Sequence, residues 1–123
     1  MAAAGRSFKD LYGWQRAMEL VLAVYVATKT WPKDESFGII SQARQAAVSV
    51  PANIAEGQGR SGPREFLHHL SIAPGSLAEL ETHLLLAHQL TYMPLDTLAS
   101  LTVQLDEVRR LIRGLIRSLR ASA

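Results

Sequence analysis

The 123-residue sequence contains no cysteine, which excludes disulfide bonds and thiolate metal sites. Long hydrophobic runs are missing too. The longest uncharged apolar run, residues 20–27, is far shorter than the roughly 20 residues of a membrane-spanning helix. The first residues, MAAAGRSFKD, lack the apolar centre of a signal peptide. We therefore expect a soluble cytoplasmic protein without a membrane partner.

Acidic residues are absent from the C-terminal end. Residues 109–123 contain five arginines and no aspartate or glutamate. Residues 61–108 have the opposite balance, with one basic and six acidic side chains. The formal net charge of +2 thus combines an acidic middle with a basic end. Such a distribution indicates a localised basic patch rather than a generally cationic protein.

Strand-like alternation of polar and apolar residues is absent as well, and apolar residues instead recur at steps of three and four. Breaks at Trp31-Pro32, at residues 57–63 and at residues 92–94 divide the chain into four such segments. Four helices of about 20 residues with short connections predict an all-α fold, an antiparallel up-down-up-down four-helix bundle. We expect this domain over residues 9–121, after a disordered stub over residues 1–8 that has no periodic apolar face.

The first predicted helix has more apolar surface than one buried stripe requires. In LVLAVYVA, residues 20–27, every direction around the helix axis is apolar. One side of each helix in a four-helix bundle normally faces water, so something else must cover this one. Scattered surface aliphatic residues are common, but these residues are contiguous, which favours a subunit interface.

Gly57, Gly59 and Gly62 form a G-x-G-x-x-G pattern, which in dinucleotide-binding proteins follows a strand and precedes a helix. Here a helical segment precedes the pattern, so it does not predict a nucleotide site. We interpret Gly57 as the end of the second helix and Gly62 as the N-cap of the third. Pro51 and Pro74 lie inside predicted helices, where proline removes a backbone hydrogen bond and bends the axis.

Two stretches carry a family resemblance: SQARQAAVSVPANIAEGQGR at residues 41–60 and EFLHHLSIAPGSLAELETHLLLAHQL at residues 65–90. They resemble the four-helix-bundle proteins called 23S ribosomal RNA intervening-sequence proteins, which are encoded within insertions in bacterial large-subunit rRNA genes. FKDLYGWQRAMEL near the start and the Trp31-Pro32 turn fit the same pattern, so the resemblance covers residues 8–120. It implies an all-α bundle and a homopentameric ring, without an established enzymatic activity. A related retroelement accessory protein is a basic pentamer associated with nucleic acid.

The resemblance also marks family-motif positions in this chain. These are Asn53, Glu56, Gly57, Arg60, Glu65, Phe66, Gly75, Ser76, Glu79, Glu81 and Thr82. The chain departs from the family pattern at three places. Gln45 stands where a basic residue is frequent, and Gly62 stands where serine or threonine is usual. Pro74 stands where a helix-forming residue is expected, which predicts a stronger bend in helix three.

An enzyme built on a four-helix bundle would need a complete ligand set for a metal. Di-iron bundles use two Glu-x-x-His pairs and further glutamates, whereas this chain has one such pair, Glu65 and His68. On a helical wheel His68 points away from the apolar stripe, whereas His88 lies on it near a helix end, as a hydrogen-bonded structural histidine would. No nucleophile elbow is present. We predict no catalytic residue, no metal, no cofactor and no small-molecule substrate.

Arg44 and Glu81 lie on flanks of the same rotational sense in helices two and three, at similar distances from the connecting loop. We therefore predict a structural ion pair between them that fixes the register of these helices. The opposite flanks offer Asn53 against Glu65 and His69. Only one flank can face the partner helix, and the sequence leaves the choice open.

The C-terminal arginines provide the sharpest functional hypothesis. On a helical wheel they fall within an arc of about 100°, opposite the apolar stripe of the last helix. They are Arg109, Arg110, Arg113, Arg117 and Arg120. Cations suit a helix C-terminus, and Asp106 and Glu107 could pair with Arg110, but this accounts for only one or two of them.

Arginine suits phosphate because its planar fork donates two parallel hydrogen bonds. We therefore expect a non-catalytic homo-oligomer that binds RNA or DNA weakly and without sequence preference. The alternative is a protein-binding scaffold with no nucleic-acid role. A basic outer stripe favours the first class, and an apolar patch left exposed after oligomerisation would favour the second.

Overall fold

The computed structural model describes residues 7–122. Within this range the fold is all-α and contains no strand. Its helices are α1 Tyr12–Thr28, α2 Ile39–Gln58, α3 Gly62–Leu70, α4 Ala73–Gln89 and α5 Leu95–Ser122. Only Ser71 and Ile72 separate α3 from α4, so these two form one interrupted third helix. The predicted all-α class and the four helices are thereby confirmed for the described residues.

Residues 1–6 of the predicted N-terminal stub lie outside the described residues, whereas Ser7 and Phe8 lie within them. Ser7 Oγ accepts a hydrogen bond from the backbone N–H of Lys9 at 2.9 Å, and Asp10 Oδ2 accepts one from the N–H of Ser7 at 3.2 Å. These bonds cap a short 3-10 helix, Phe8–Asp10. The ring of Phe8 packs edge-on against Trp14, 5.3 Å between centroids, and so attaches this segment to α1.

The core lies where the apolar stripes of the helices meet. Leu20, Ile54, Leu80 and Leu105 are among its fully buried side chains, one from each of the four helices. α1 packs against α2 and α5, and both α2 and α5 also pack against α3 and α4. Each helix therefore buries its stripe against two neighbouring helices, as the spacing of three and four predicts.

Pro51 is buried inside α2, which continues through it. The small residues around it permit close approach of α4, where Ser49 Oγ lies 2.9 Å from Ser76 Oγ. The expected bend of helix three takes the form of an interruption, and Pro74 lies in the first turn of α4. A proline is tolerated there because the first-turn N–H groups have no intrahelical partner.

The prediction that Gly57 ends α2 is wrong, because the helix continues to Gln58 and Gly59 is its C-cap. Gly57 is buried against α3, where a Cβ atom would lie 2.7 Å from His69 Cβ and 3.0 Å from Phe66 Cδ1. The glycine is therefore needed for the close approach of α3 to α2, rather than for a left-handed turn.

The turn between α2 and α3 uses a different glycine. Gly62 has a φ of +86°, in the left-handed region that favours glycine. It is the first residue of α3 and Ser61 is the N-cap, so the predicted cap position is displaced by one residue. Pro63 and the acidic Glu65 lie in the first turn, as expected.

Candidate nucleic-acid interface

The outer surface of α5 is strongly basic. This helix buries Leu98, Leu101, Leu105, Val108 and Ile112 on its inner side. Its exposed arginines are Arg110, Arg113, Arg117 and Arg120. Among residues 7–122, none of these four arginines has a carboxylate within 4.0 Å. Their positive charge is therefore available to an external anion.

Arg109, which the sequence analysis placed among the five candidate phosphate-binding arginines, does not belong to this exposed set. Its Nη2 donates to Glu81 Oε1 at 3.0 Å, and its Nη1 donates to Asp106 Oδ1 at 2.7 Å. Arg109 is half-buried and joins α5 to α4. Glu107, the other acid considered for Arg110, lies 3.9 Å from Nε of Arg16 instead.

The predicted ion pair between Arg44 and Glu81 is also wrong. Arg44 Nε donates to Thr28 Oγ1 at 2.8 Å, and its guanidinium carbon lies 4.5 Å from the ring centre of Tyr25. The Arg44 flank of α2 therefore faces α1, whereas Glu81 turns towards Arg109 on α5. No ion pair between the two residues exists in the described part of the chain.

The flank of α2 that faces the third helix carries Asn53. Asn53 Oδ1 lies 3.3 Å from His69 Nδ1, while its Nδ2 donates to the Ser49 carbonyl at 2.8 Å. Glu56, one turn further, accepts a hydrogen bond from Arg60 Nη2 at 2.7 Å. This bond and the nearby His69 hold the pKa of Glu56 below its ordinary value.

Most family-motif residues therefore have structural partners in the described chain. In the first stretch Asn53, Glu56 and Gly57 lie at the contact between α2 and α3. In the second stretch Ser76 contacts Ser49 of α2, and Glu81 contacts Arg109 of α5. The remaining contacts lie within α4: Glu79 Oε2 is 3.4 Å from His83 Nε2, and Thr82 Oγ1 donates to the Ala78 carbonyl at 2.9 Å.

The basic surface of α5 extends across a groove to α3. This groove has a volume of about 490 Å³, and Arg64 and His68 of α3 line it together with Arg120 of α5. A smaller hollow of about 160 Å³ between α4 and α5 is lined by Arg113. Pro74 and Ile116 line both, so the two hollows lie next to each other.

Arg64 was missed by the sequence analysis, because it is the only basic residue in an otherwise acidic segment. It is exposed and has no ion pair with another described residue. The only sequence signal for a polar surface at this place was His68, four residues later, which points away from the apolar stripe on a helical wheel. Five arginines on these two helices have no ion pair with a described residue, and we call them the basic face: Arg64, Arg110, Arg113, Arg117 and Arg120.

A second exposed surface lies on α1. Leu22 and Val26 are 64% and 65% exposed, and Met18 and Tyr25 beside them are 37% and 38% exposed. The expected excess of apolar surface on this helix is thus present. We call these four residues the apolar face of α1.

None of the histidines belongs to a group of three or more potential metal ligands among the described residues. His88 Nδ1 lies 2.9 Å from the Met93 carbonyl oxygen, which confirms the predicted hydrogen-bonded structural role. His68 is exposed beside the basic face. Within residues 7–122 no three potential ligands converge as a metal site would require. Nor does any helix in that range have the length and apolarity to cross a membrane.

Comparison with known proteins identifies the family of this chain. A family model described as 23S rRNA-intervening sequence protein matches residues 9–114. The match covers α1 to α4 and most of α5, including Arg110 and Arg113, but ends before Arg117 and Arg120. The resemblance seen in the two sequence stretches is thereby confirmed. No curated protein matches the chain.

Proposed function

We propose that this chain, which belongs to the 23S rRNA-intervening sequence protein family, is a non-catalytic oligomer that binds RNA or DNA through its basic face. The observation that supports this most directly is the set of four exposed arginines on one side of α5 that have no carboxylate partner among the described residues. Arg64 adds a fifth guanidinium from the far side of the groove. Uncompensated surface arginines are the electrostatic footprint of phosphate binding.

The spacing of the arginines suits a phosphodiester chain. Arg110 and Arg120 are ten residues apart on one helix, which corresponds to about 15 Å along the axis. That length corresponds to roughly four steps from one phosphate to the next along one strand of B-DNA. Each guanidinium can donate two parallel hydrogen bonds to a phosphate. No base-reading motif accompanies them, so binding is sequence-tolerant and strongly salt-dependent.

Oligomerisation would present several copies of the basic face at once. The apolar face of α1 supports such an assembly, because removing contiguous apolar side chains from water lowers the free energy. The family resemblance suggests a homopentamer. Several weak phosphate sites on one particle raise the overall affinity without any new contact.

Within each subunit we infer an antiparallel up-down-up-down arrangement. Contacts between opposite helix ends support it. A Cβ atom on Gly13, near the start of α1, would lie 4.0 Å from Ile54 Cδ1 late in α2 and 3.8 Å from Leu111 Cβ late in α5. The end of α1 meets the early part of α2, where Arg44 bonds Thr28.

A protein-binding scaffold without a nucleic-acid role is the second candidate. It is favoured by the apolar groove of about 440 Å³ beside α1, which Leu22 and Val26 line. If oligomerisation leaves this groove open, a protein partner could occupy it.

Capture of partners from a native lysate, with and without nuclease, separates the two candidates. Nucleic-acid binding predicts that RNA or DNA is recovered with the protein and that nuclease removes its associated proteins. A scaffold predicts the same protein partners after nuclease treatment and no enriched nucleic acid.

A further inference from the structure

Arg44 is a half-buried cation that has no counter-ion among residues 7–122. Its Nε–H is held by the buried Thr28 hydroxyl, and its guanidinium lies over Tyr25. No carboxylate lies within 4.0 Å of it in the described chain, and the donors on Nη1 and Nη2 have no partner there. A guanidinium that is held in place, but whose charge is not neutralised, can donate hydrogen bonds to an oxyanion.

The surroundings of Arg44 favour a protein carboxylate over a phosphate chain. Arg44 lines a groove of about 510 Å³ between α1 and α2, and it is the only charged residue among the described residues that line it. The other walls are apolar or carry neutral polar groups, for example Val48, Ser41 and Gln45. Arginine and tyrosine are enriched at the energetic centres of protein interfaces. A polyanion instead selects clustered cations, as on the basic face.

A matching carboxylate lies on the other side of α1. Asp96, at the start of α5, lines the groove of about 440 Å³ together with Leu22 and Val26. It is exposed and accepts a hydrogen bond from the backbone N–H of Thr97 at 2.9 Å. Among the described residues it has no cationic partner within 4.0 Å. The two grooves therefore flank α1 with opposite charges.

Arg44 and Asp96 both lie near the C-terminal end of α1. Arg44 bonds Thr28, the last residue of α1, and Asp96 shares its groove with Val26 and Ala27 near the same end. When subunits are related by a rotation about an axis parallel to the helices, equivalent groups have the same position along that axis. In any cyclic assembly of that kind, the Arg44 side of one copy can meet the Asp96 side of another.

The geometry points to a second copy of this chain as the occupant: the Asp96 carboxylate of one subunit pairs with the Arg44 guanidinium of the next. This contact neutralises the charge of Arg44 and covers the apolar face of α1, which lies between the two grooves. It rests on the oligomer of the proposed function and adds which surfaces meet. Because each copy offers both grooves, the pairing can repeat around a closed ring.

Charge reversal tests the pairing in the full-length protein. The variants are Asp96→Arg, Arg44→Asp and the double exchange, with Asp34→Arg as a control that makes the same charge change at an exposed acid outside both grooves. Sedimentation velocity over a concentration series gives the association constant, and circular dichroism gives the helix content. We expect Asp96→Arg to weaken association about tenfold or more, because it places two cations opposite each other. The double exchange should restore association.

The outcomes separate the pairing from the oligomer itself. A wild-type protein that remains monomeric at micromolar concentration contradicts both. A wild-type oligomer that Asp96→Arg leaves intact, or that Asp34→Arg weakens equally, contradicts only the pairing. If Arg44→Asp loses helix content through its contacts with Thr28 and Tyr25, the comparison of Asp96→Arg with Asp34→Arg still decides, since Asp96 has no long-range partner among residues 7–122.

Discussion

Arg109 Nη2 lies 3.0 Å from Glu81 Oε1, and this pair connects α5 to the interrupted third helix. It also removes Arg109 from the arginines available to an external phosphate. We expect Glu81→Gln to lower the free energy of unfolding by at most about 1 kcal/mol, because the pair is partly exposed. The same change should strengthen nucleic-acid binding, because it removes one of the two carboxylates that neutralise Arg109. Urea denaturation and binding titrations measure the two effects, and unchanged binding would show that Arg109 lies outside the interface.

The close contact at Gly57 predicts a large difference between two glycine substitutions. Gly57→Ala brings a Cβ within 2.7 Å of His69 Cβ, and backbone must shift to relieve it. We expect a loss of about 1–3 kcal/mol of stability. Gly75→Ala in α4 is the matched control, since no described atom beyond the adjacent residues and the backbone of its own helix lies within 4 Å of the added Cβ. That change should be neutral or stabilise by up to about 1 kcal/mol, as replacement of a helical glycine does. Equal thermal midpoints for the two variants would contradict the packing described at Gly57.

The pairing of Glu56 with Arg60 predicts a pH effect of defined sign. The hydrogen bond from Arg60 lowers the pKa of Glu56 from its ordinary value of 4.5. Because the pKa is lower in the folded state, the contribution to stability is present above 4.5 and is lost as the pH falls through the folded-state pKa. NMR titration should show the Glu56 pKa below 4.5 in the wild type and closer to 4.5 in Arg60→Gln. The same titration midpoint in both proteins would rule out the pairing in solution.

The apolar face of α1 predicts which surface substitution disperses the oligomer. Leu22→Ser should reduce association and leave helix content unchanged, because the side chain is 64% exposed in the subunit. Val103→Ser is the control, since Val103 on α5 is 69% exposed and lies outside both grooves beside α1. Sedimentation at equal concentrations compares them. If both variants assemble like the wild type, α1 does not form the interface.

The helices were predictable because each buries one stripe, and a stripe at steps of three and four is visible in the sequence. The partners of the polar residues that flank each stripe were not predictable from the sequence. Arg44 lies between two possible neighbours, and the rotation of α2 that places it on Thr28 rather than Glu81 depends on the packing of the whole bundle. Gly57 looked like a helix end because its tight neighbours, His69 and Phe66, are distant in sequence. Arg64 joined the basic face only when α3 packed against α5.

The salt dependence of nucleic-acid binding tests the central claim most directly. A fluorescent single-stranded RNA and a DNA duplex are titrated at several salt concentrations with the wild type and with Arg113→Gln/Arg117→Gln. The control is Arg16→Gln/Arg60→Gln, which removes equal charge from two arginines already paired with Glu19 and Glu56. Loss of two phosphate contacts per subunit should flatten the slope of log affinity against log salt by about 1 to 2, whereas the control should keep the wild-type slope. Absence of wild-type binding at low salt, or equal slopes for both double variants, would contradict a nucleic-acid role for the basic face.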